Sequence, residues 1–332
     1  MTEVLDLAVI GAGPCGIAAG AAAVENDLRV ALFDKGPLTA SLLDYPYYMT
    51  FFSTAQKLEI AGVPFTIPDS KPSRREALAY YRRVVSHFGI PVHQHHEVTH
   101  VEGQSGHFSL HVQRRDGSRG VVQARAVAVA TGGFHEPNFL GVPGEDLPKV
   151  HHWYREPYPF TDQDVVVVGA GNSAVEAALE LYRNDVRVTL VHFADTIDKG
   201  VKPWVVPDIT NRLEKGEIAS FFGHRIAEIS WSHVVVRDEA TGATTSLPND
   251  AVLALTGWRA RPGMLRDLGV GIDEETGIPT HDPETMETNV PGVFAAGVLA
   301  AGHNANKIFI ENGKEHGGRI VAALKRQAAA RP

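Results

Sequence analysis

The chain has 332 residues, 44% hydrophobic and 21% charged, a globular composition long enough for two ordinary domains. Its formal charge of −8 implies no large basic surface, so nucleic acid is not an expected partner. A single cysteine excludes an internal disulfide and a multi-cysteine zinc site, and fits a reducing, cytoplasmic compartment. No apolar run reaches the roughly 18 residues of a membrane span, so no membrane partner is expected. The first apolar run opens almost at once, and no signal peptide is expected ahead of it. None of the 16 histidines falls in an H-E-x-x-H pattern, and no metal site is expected.

Residues 5–10 read as a buried strand that runs into Gly11-Ala12-Gly13-Pro14-Cys15-Gly16, and residues 17–24 read as an Ala-rich helix. Strand, glycine turn and helix are the context that gives G-x-G-x-x-G its meaning. Gly11 allows the tight turn, Gly13 lets backbone approach a pyrophosphate, and Gly16 lets the helix pack close to the strand. The amides at the helix start then bind phosphate. A second strand, residues 29–34, ends in Asp34, 23 residues after Gly11. A carboxylate at that place accepts hydrogen bonds from a ribose diol, which suits an unphosphorylated ribose such as that of FAD.

Further along, Arg74, Arg75, Arg82 and Arg83 share a helical stretch, a candidate carboxylate-binding set or a solvated face. Residues 107–129 read as a hairpin around Asp116-Gly117. Residues 124–130 form a buried strand that ends in Thr131-Gly132-Gly133, and the Pro-rich residues 137–159 read as a connection between domains.

The opening pattern then recurs. Residues 164–168 are a strand, Gly169-Ala170-Gly171-Asn172-Ser173-Ala174 the turn, residues 175–182 the helix, and residues 187–192 the second strand. Asp6, Arg29, Val30 and Leu32 reappear as Asp164, Arg187, Val188 and Leu190 at a constant shift of 158. One glycine fingerprint is weak evidence, whereas two aligned copies in one chain are strong. The copies differ where ligand choice is made. His192 stands where Asp34 stands in the first, and Ala174 replaces the third glycine. A carboxylate there would repel a 2′-phosphate, whereas His192 tolerates it, and Lys199 and Lys202 just downstream are either a source of positive charge or solvated loop lysines. The second copy is therefore expected to prefer NADPH to NADH.

Residues 252–255 are another buried strand, ending in Thr256-Gly257-Trp258. Residues 288–297 read as a turn and short strand, and a helix is expected over residues 306–325 with its N-terminus towards the flavin. The expected fold is α/β, with two Rossmann-like dinucleotide-binding domains. An NADPH domain, residues 137–258, is inserted into an FAD domain made of residues 1–136 and 259–332.

These pieces resemble the two-dinucleotide-domain flavoproteins of the low-molecular-weight thioredoxin reductase type. Residues 288–297 fit that family's second FAD contact, T-x-x-P-G-[VI]-[FY]-A-x-G-D, except that Val298 replaces the acid. The family's C-x-x-C is absent, which excludes an ordinary thioredoxin reductase. The specific likeness is to the bacillithiol disulfide reductase (YpdA/Bdr) family. It rests on Phe51-Phe52-Ser53-Thr54, Lys57-Leu58-Glu59-Ile60, Pro64-Phe65 and the stretch from Lys71-Pro72-Ser73 to Leu78. It rests also on Cys15 in the first turn, Lys202-Pro203-Trp204, Ala296-Gly297-Val298 and residues 304–313.

The resemblance implies NADPH-dependent, FAD-mediated reduction of bacillithiol disulfide, and a homo-oligomer. The expected FAD-binding residues are Gly11, Gly13, Pro14, Cys15, Gly16, Asp34, Lys35, Thr131, Gly132, Gly297 and Val298. The expected NADPH-binding residues are Gly169, Gly171, Asn172, Ser173, Ala174, His192 and Lys202. Cys15 is the candidate catalytic residue, either attacking the substrate disulfide or packing beside FAD. Phe51 and Phe52 either cover the flavin or pack in the core. Three rivals share the two-turn pattern: a flavin monooxygenase, a thioredoxin-reductase-like ferredoxin–NADP reductase and a non-catalytic NADPH-binding sensor. The monooxygenase pattern F-x-G-x-x-x-H is not met, because Glu145 stands where Phe139-Leu140-Gly141 would call for a histidine.

Overall fold

The opening run Leu7–Ile10 is buried along its whole length, as a strand covered on both faces must be. It lies third in a parallel five-stranded sheet, in the order Val293–Ala295, Val127–Val129, Leu7–Ile10, Val30–Asp34, Val92–Gln94. The chain leaves this strand in one direction across the sheet and returns later on its other side. That reversal opens a crevice at the strands' carboxyl ends, the usual ligand position in such sheets. A three-stranded antiparallel sheet, His96–Gln104, His107–Arg114 and Arg119–Ala124, belongs to the same unit.

The computed structural model describes residues 4–134, 136–304 and 307–329. They fall into two compact units. One is drawn from Met1–Leu43, Met49–Glu136 and Trp258–Pro332, and the other from Asp44–Tyr48 and Pro137–Gly257. The short stretch Asp44–Tyr48 joins the second unit through Arg155. The Tyr47 amide donates to the Arg155 carbonyl at 2.9 Å, and Arg155 pairs with Asp44 at 2.8 Å.

The second unit repeats the first. Its parallel sheet runs Ala219–Phe222, Arg187–His192, Asp164–Val168, Ala251–Ala254, Val150–His151, and its antiparallel sheet is His224–Ile229, His233–Asp238 and Thr244–Pro248. Strand alternation divides its core. Val165 and Val167 pack with Ala174, Val175, Ala178 and Leu181 of the helix, whereas Val166 and Val168 pack with Ile226, Val234 and Val236 of the antiparallel sheet. The repeat extends to single bonds. Arg29 pairs with Asp6 at 3.1 Å, and Arg187 with Asp164 at 2.8 Å. After each helix Asn26 and Asn184 bond back to Ala22 and Glu180, and Asp27 and Asp185 take positive φ of 56° and 60°.

Two expectations change. The stretch 137–159 is more than a connection, because Val150–His151 is the edge strand of the second parallel sheet. The helix expected over residues 306–325 is two, Ile310–Gly313 and His316–Ala329, and its expected start at Asn306 lies outside the described residues. No helix among the described residues is long and apolar enough to cross a membrane.

Small residues set the packing of the first unit. Helix Pro14–Val24 lies against the opening strand so closely that a Cβ on Gly16 would fall 2.0 Å from the Gly11 carbonyl oxygen. Helix His316–Ala329 crosses it where a Cβ on Gly317 would meet the Ala19 amide at 2.6 Å. That crossing buries His316, whose Nδ1 accepts the Gly297 amide at 3.1 Å. Burial, with help from Arg319 and His281, holds its pKa down from the ordinary 6.5 to about 4.

Two outcomes are expected. Gly16→Ala destabilises the chain by about 3 kcal/mol or more, because the colliding atom is backbone, whereas Ala174→Gly in the second copy costs only about 1 kcal/mol. Denaturant titration of both variants measures the contrast. His316 is favoured in its neutral form by the fold, so its contribution is present above about pH 6.5 and is lost as pH falls towards 4. The loss amounts to roughly 3 kcal/mol. Denaturant midpoints between pH 7 and 4.5 should fall less steeply in His316→Gln than in the parent.

Candidate functional site

The first turn is shaped by contacts that forbid side chains. The Gly11 amide donates to the Phe33 carbonyl at 2.7 Å, φ at Gly11 is 111°, and a Cβ there would lie 2.4 Å from the Ala130 carbonyl oxygen. Gly13 is extended and caps the helix, and nothing lies within 4 Å of where its Cβ would be. Pro14 fills the first helical position, where a missing amide is harmless. No acidic side chain lies in the first turn and no side chain caps it, so the amides that follow are left to an incoming anion. Asp34 closes the other side. Its Oδ2 accepts the Ala12 amide at 2.8 Å and its Oδ1 the Gly36 amide at 2.8 Å, which fixes the carboxylate at the strand end. Neighbouring Lys35 is exposed.

The remaining expected FAD contacts converge here. The Cβ position of Gly11 is 3.1 Å from the Thr131 amide, and that of Gly133, just after Gly132, is 3.0 Å from Val298 Cγ1. Cys15 meets both late segments. A Cβ on Gly297 would stand 3.1 Å from Cys15 Sγ, and one on Gly313 would stand 2.9 Å from it. Only glycines leave room for the thiol. Gly313 closes the 304–313 stretch that carried the family resemblance, but only its place in space gives it this role beside the thiol. Burial pushes the Cys15 thiol up to about 12, so at neutral pH it rests protonated.

The second turn repeats the first. The Gly169 amide donates to the Val191 carbonyl at 2.9 Å, φ is 117°, and a Cβ would lie 2.5 Å from the Leu255 carbonyl oxygen. Gly171 is the extended cap, and again no acid sits in the first turn. Ala174 is buried in the place of the third glycine, and Ser173 is exposed. Asn172 ties the downstream loop to the helix start, donating to the Gly200 carbonyl at 2.9 Å and accepting the Lys202 amide at 2.8 Å.

Lys202 has a partner of its own within the protein. Its ammonium is buried and bonded to both carboxylate oxygens of Glu176, at 2.7 and 2.8 Å, so its charge is neutralised within the protein. His192 is also buried, and neither ring nitrogen is hydrogen-bonded among the described residues. Burial lowers its pKa, with Asp198 opposing, so the ring brings no positive charge at neutral pH. Lys199 is exposed.

Arg74 is likewise engaged within the protein. Its guanidinium donates to the Leu42 and Leu43 carbonyls at 2.9 and 2.8 Å and braces the end of the short helix Ala40–Leu43, while Arg75, Arg82 and Arg83 are exposed on the helix. Phe51 is buried, and Phe52 is exposed beneath Lys71, whose ammonium stands 5.3 Å from the ring centre.

Comparison with known proteins agrees with this geometry. Residues 8–297 match the family model described as pyridine nucleotide-disulphide oxidoreductase. Bacilliredoxin reductase Bdr of Bacillus subtilis is 41% identical over 320 residues, covering 96% of this chain and 97% of that protein. The structure of bacillithiol disulfide reductase Bdr (YpdA) from Bacillus cereus superposes with a TM-score of 0.94 at 38% identity, covering 98% of this chain and all of that one. Its counterpart from Staphylococcus aureus superposes at 0.92 with 36% identity, covering 98% and 99%. The chain is an oxidoreductase of the pyridine nucleotide-disulphide oxidoreductase family and belongs, within it, to the Bdr (YpdA) group.

Proposed function

We propose that this enzyme reduces bacillithiol disulfide to two thiols, with FAD on turn 11–16 and NADPH on turn 169–174. In this reading the segments 1–136 and 259–332 form the FAD domain and 137–258 the NADPH domain. The observation that carries the proposal is the pair of matching turns, each with free helix-start amides, in a chain whose one thiol lies in the first turn. The 41% identity to a bacilliredoxin reductase over nearly the whole chain selects the disulfide class over the monooxygenase, ferredoxin reductase and sensor readings. The enzyme is proposed to act in the cytoplasm as a homo-oligomer.

The residues divide the work. The amides after Gly13 hold the pyrophosphate, Asp34 accepts the ribose hydroxyls, and residues 131–133 with Gly297 and Val298 flank the flavin. When bound, FAD relays two electrons from the nicotinamide to the disulfide. Cys15 is the one thiol in the chain able to exchange with the substrate. Exchange forms a bond between Cys15 Sγ and one substrate sulfur and breaks the substrate's S–S bond, releasing the first thiol. The two electrons from the nucleotide, with two protons (one carried with the hydride, one from solvent), then break the bond between Cys15 Sγ and the substrate sulfur, releasing the second thiol and restoring the Cys15 thiol. Exchange requires loss of the Cys15 proton, and burial opposes that loss. The resting enzyme therefore guards its thiol, and the exchange step gains rate as pH rises.

The whole reading is tested by anaerobic NADPH oxidation with a panel of disulfides. Bacillithiol disulfide should be preferred by the yellow, flavin-loaded protein, and a colourless protein or indifference to disulfides refutes it. The role of Cys15 is tested by Cys15→Ala. Flavin bleaching by NADPH should survive, because hydride transfer uses no sulfur. Disulfide-dependent turnover should fall by more than about a hundredfold. Near-parental turnover would instead assign Cys15 to packing beside the cofactor, with the disulfide reduced without it.

A further inference from the structure

In the first unit the ribose acid belongs to the strand itself, since Asp34 ends Val30–Asp34 and binds the Ala12 amide inside the turn. In the second unit the strand Arg187–His192 ends in His192 instead. Yet a carboxylate stands beside that turn. The loop after the strand curls back, and the Asp198 amide donates to the Ala170 carbonyl at 3.1 Å, much as the Thr39 amide donates to the Ala12 carbonyl at 3.0 Å. This brings Asp198 Oδ2 to 3.1 Å from where a Cβ on Gly171 would lie, and Oδ1 to 3.5 Å from His192 Nε2. The carboxylate thus lies between the strand end and the turn. The acid missing from the sequence position is supplied in space by a residue six places on.

Three further observations bear on the ligand. His192 is 4% exposed and neither ring nitrogen is hydrogen-bonded among the described residues, the Asp198 carboxylate standing 3.5 Å from Nε2. A buried polar ring left in this way beside a turn is suited to a ligand hydroxyl. Lys202, the cation the sequence nominates for a 2′-phosphate, is held by Glu176. Arg225, whose guanidinium lies 4.6 Å from the centre of the Phe193 ring, is paired with Glu239 at 2.9 Å. Two of the nearby cations are therefore already neutralised by protein carboxylates, and exposed Lys199 remains.

We propose that Asp198 reads the adenosine ribose in the second unit and sets the choice between NADH and NADPH. The proposal rests on the reading that a nicotinamide dinucleotide occupies turn 169–174. Asp198 accepts a hydrogen bond from a free 2′-hydroxyl and repels a 2′-phosphate. His192, neutral and buried, adds a second hydrogen-bonding partner. The NADPH preference drawn from His192, Lys199 and Lys202 is therefore weakened, and NADH serves as a hydride donor alongside NADPH.

The test uses the flavin-loaded enzyme, its Asp198→Asn and Asp198→Ala variants, and stopped-flow reduction of the flavin by each nucleotide. The parent should be reduced by both. Neutralising Asp198 should raise the NADPH-to-NADH ratio of kcat/KM by about tenfold, as expected for one charge contact, mainly through KM. A readout without turnover accompanies it, the competitive binding of 5′-AMP and adenosine 2′,5′-bisphosphate by calorimetry. The bisphosphate should gain affinity in both variants, and 5′-AMP should lose it. Equal changes for the two ligands, or none, overturn the role of Asp198 while leaving the nucleotide site standing. Failure of both nucleotides and both adenosine phosphates to bind the parent overturns the site and the inference together. Should Asp198→Ala lose flavin, Asp198→Asn, which keeps shape and the backbone bond to Ala170, decides the matter alone.

Discussion

Everything specific in this molecule depends on backbone approaching backbone at two turns. In the first, the Gly11 carbonyl occupies the space a side chain on residue 16 would need, and the Ala130 carbonyl the space a side chain on residue 11 would need. Those contacts bring the start of helix Pro14–Val24 hard against the carboxyl ends of the parallel strands. The helix's unpaired amides then face the crevice opened by the reversal of strand order. Without the approach the amides point elsewhere, and the turn offers no cradle to an anion. Even the thiol inherits the constraint, because Cys15 has only the room that Gly297 and Gly313 concede.

What could be read from the chain follows from this. Glycine at a close approach is a local demand, so the two fingerprints, their strands and their helices are visible in the sequence. The 158-residue shift is visible for the same reason, and its structural meaning is concrete. Asp6 with Arg29, and Asp164 with Arg187, are equivalent ion pairs at the mouths of equivalent strands. Asn26 and Asn184 with Asp27 and Asp185 belong to the same repeat, because the helix must end in the same left-handed step before the next strand. The bacillithiol reductase resemblance was likewise carried by local strings such as Phe51-Phe52-Ser53-Thr54.

What could not be read is who neutralises whom. Lys202 follows the second turn at a spacing that invites a phosphate, yet its partner Glu176 projects from the preceding helix, 26 residues earlier. Arg74 looks like part of a surface cluster, yet it braces carbonyls more than 30 residues away. Asp198 is the converse case. It sits in a loop without periodicity, and only the return of that loop onto Ala170 gives it a place beside the turn. Charge in a sequence is a count, whereas charge in a site is what remains after the fold has paired it.

The two copies also differ in how firmly they would hold a ligand. The first turn is closed in. Gly11, Pro14 and Gly16 are buried, Asp34 is pinned by two amides, and segments from the end of the chain lie against Cys15. The second turn is more open. Ser173, Asp198 and Lys199 are exposed, and its acid sits in a surface loop held by backbone bonds to Ala170 and Val201. A preorganised and enclosed cradle gives slow release, whereas an exposed one gives fast exchange. That asymmetry is what the proposed chemistry requires. One dinucleotide must stay through every turnover, and the other must arrive reduced and leave oxidised each time.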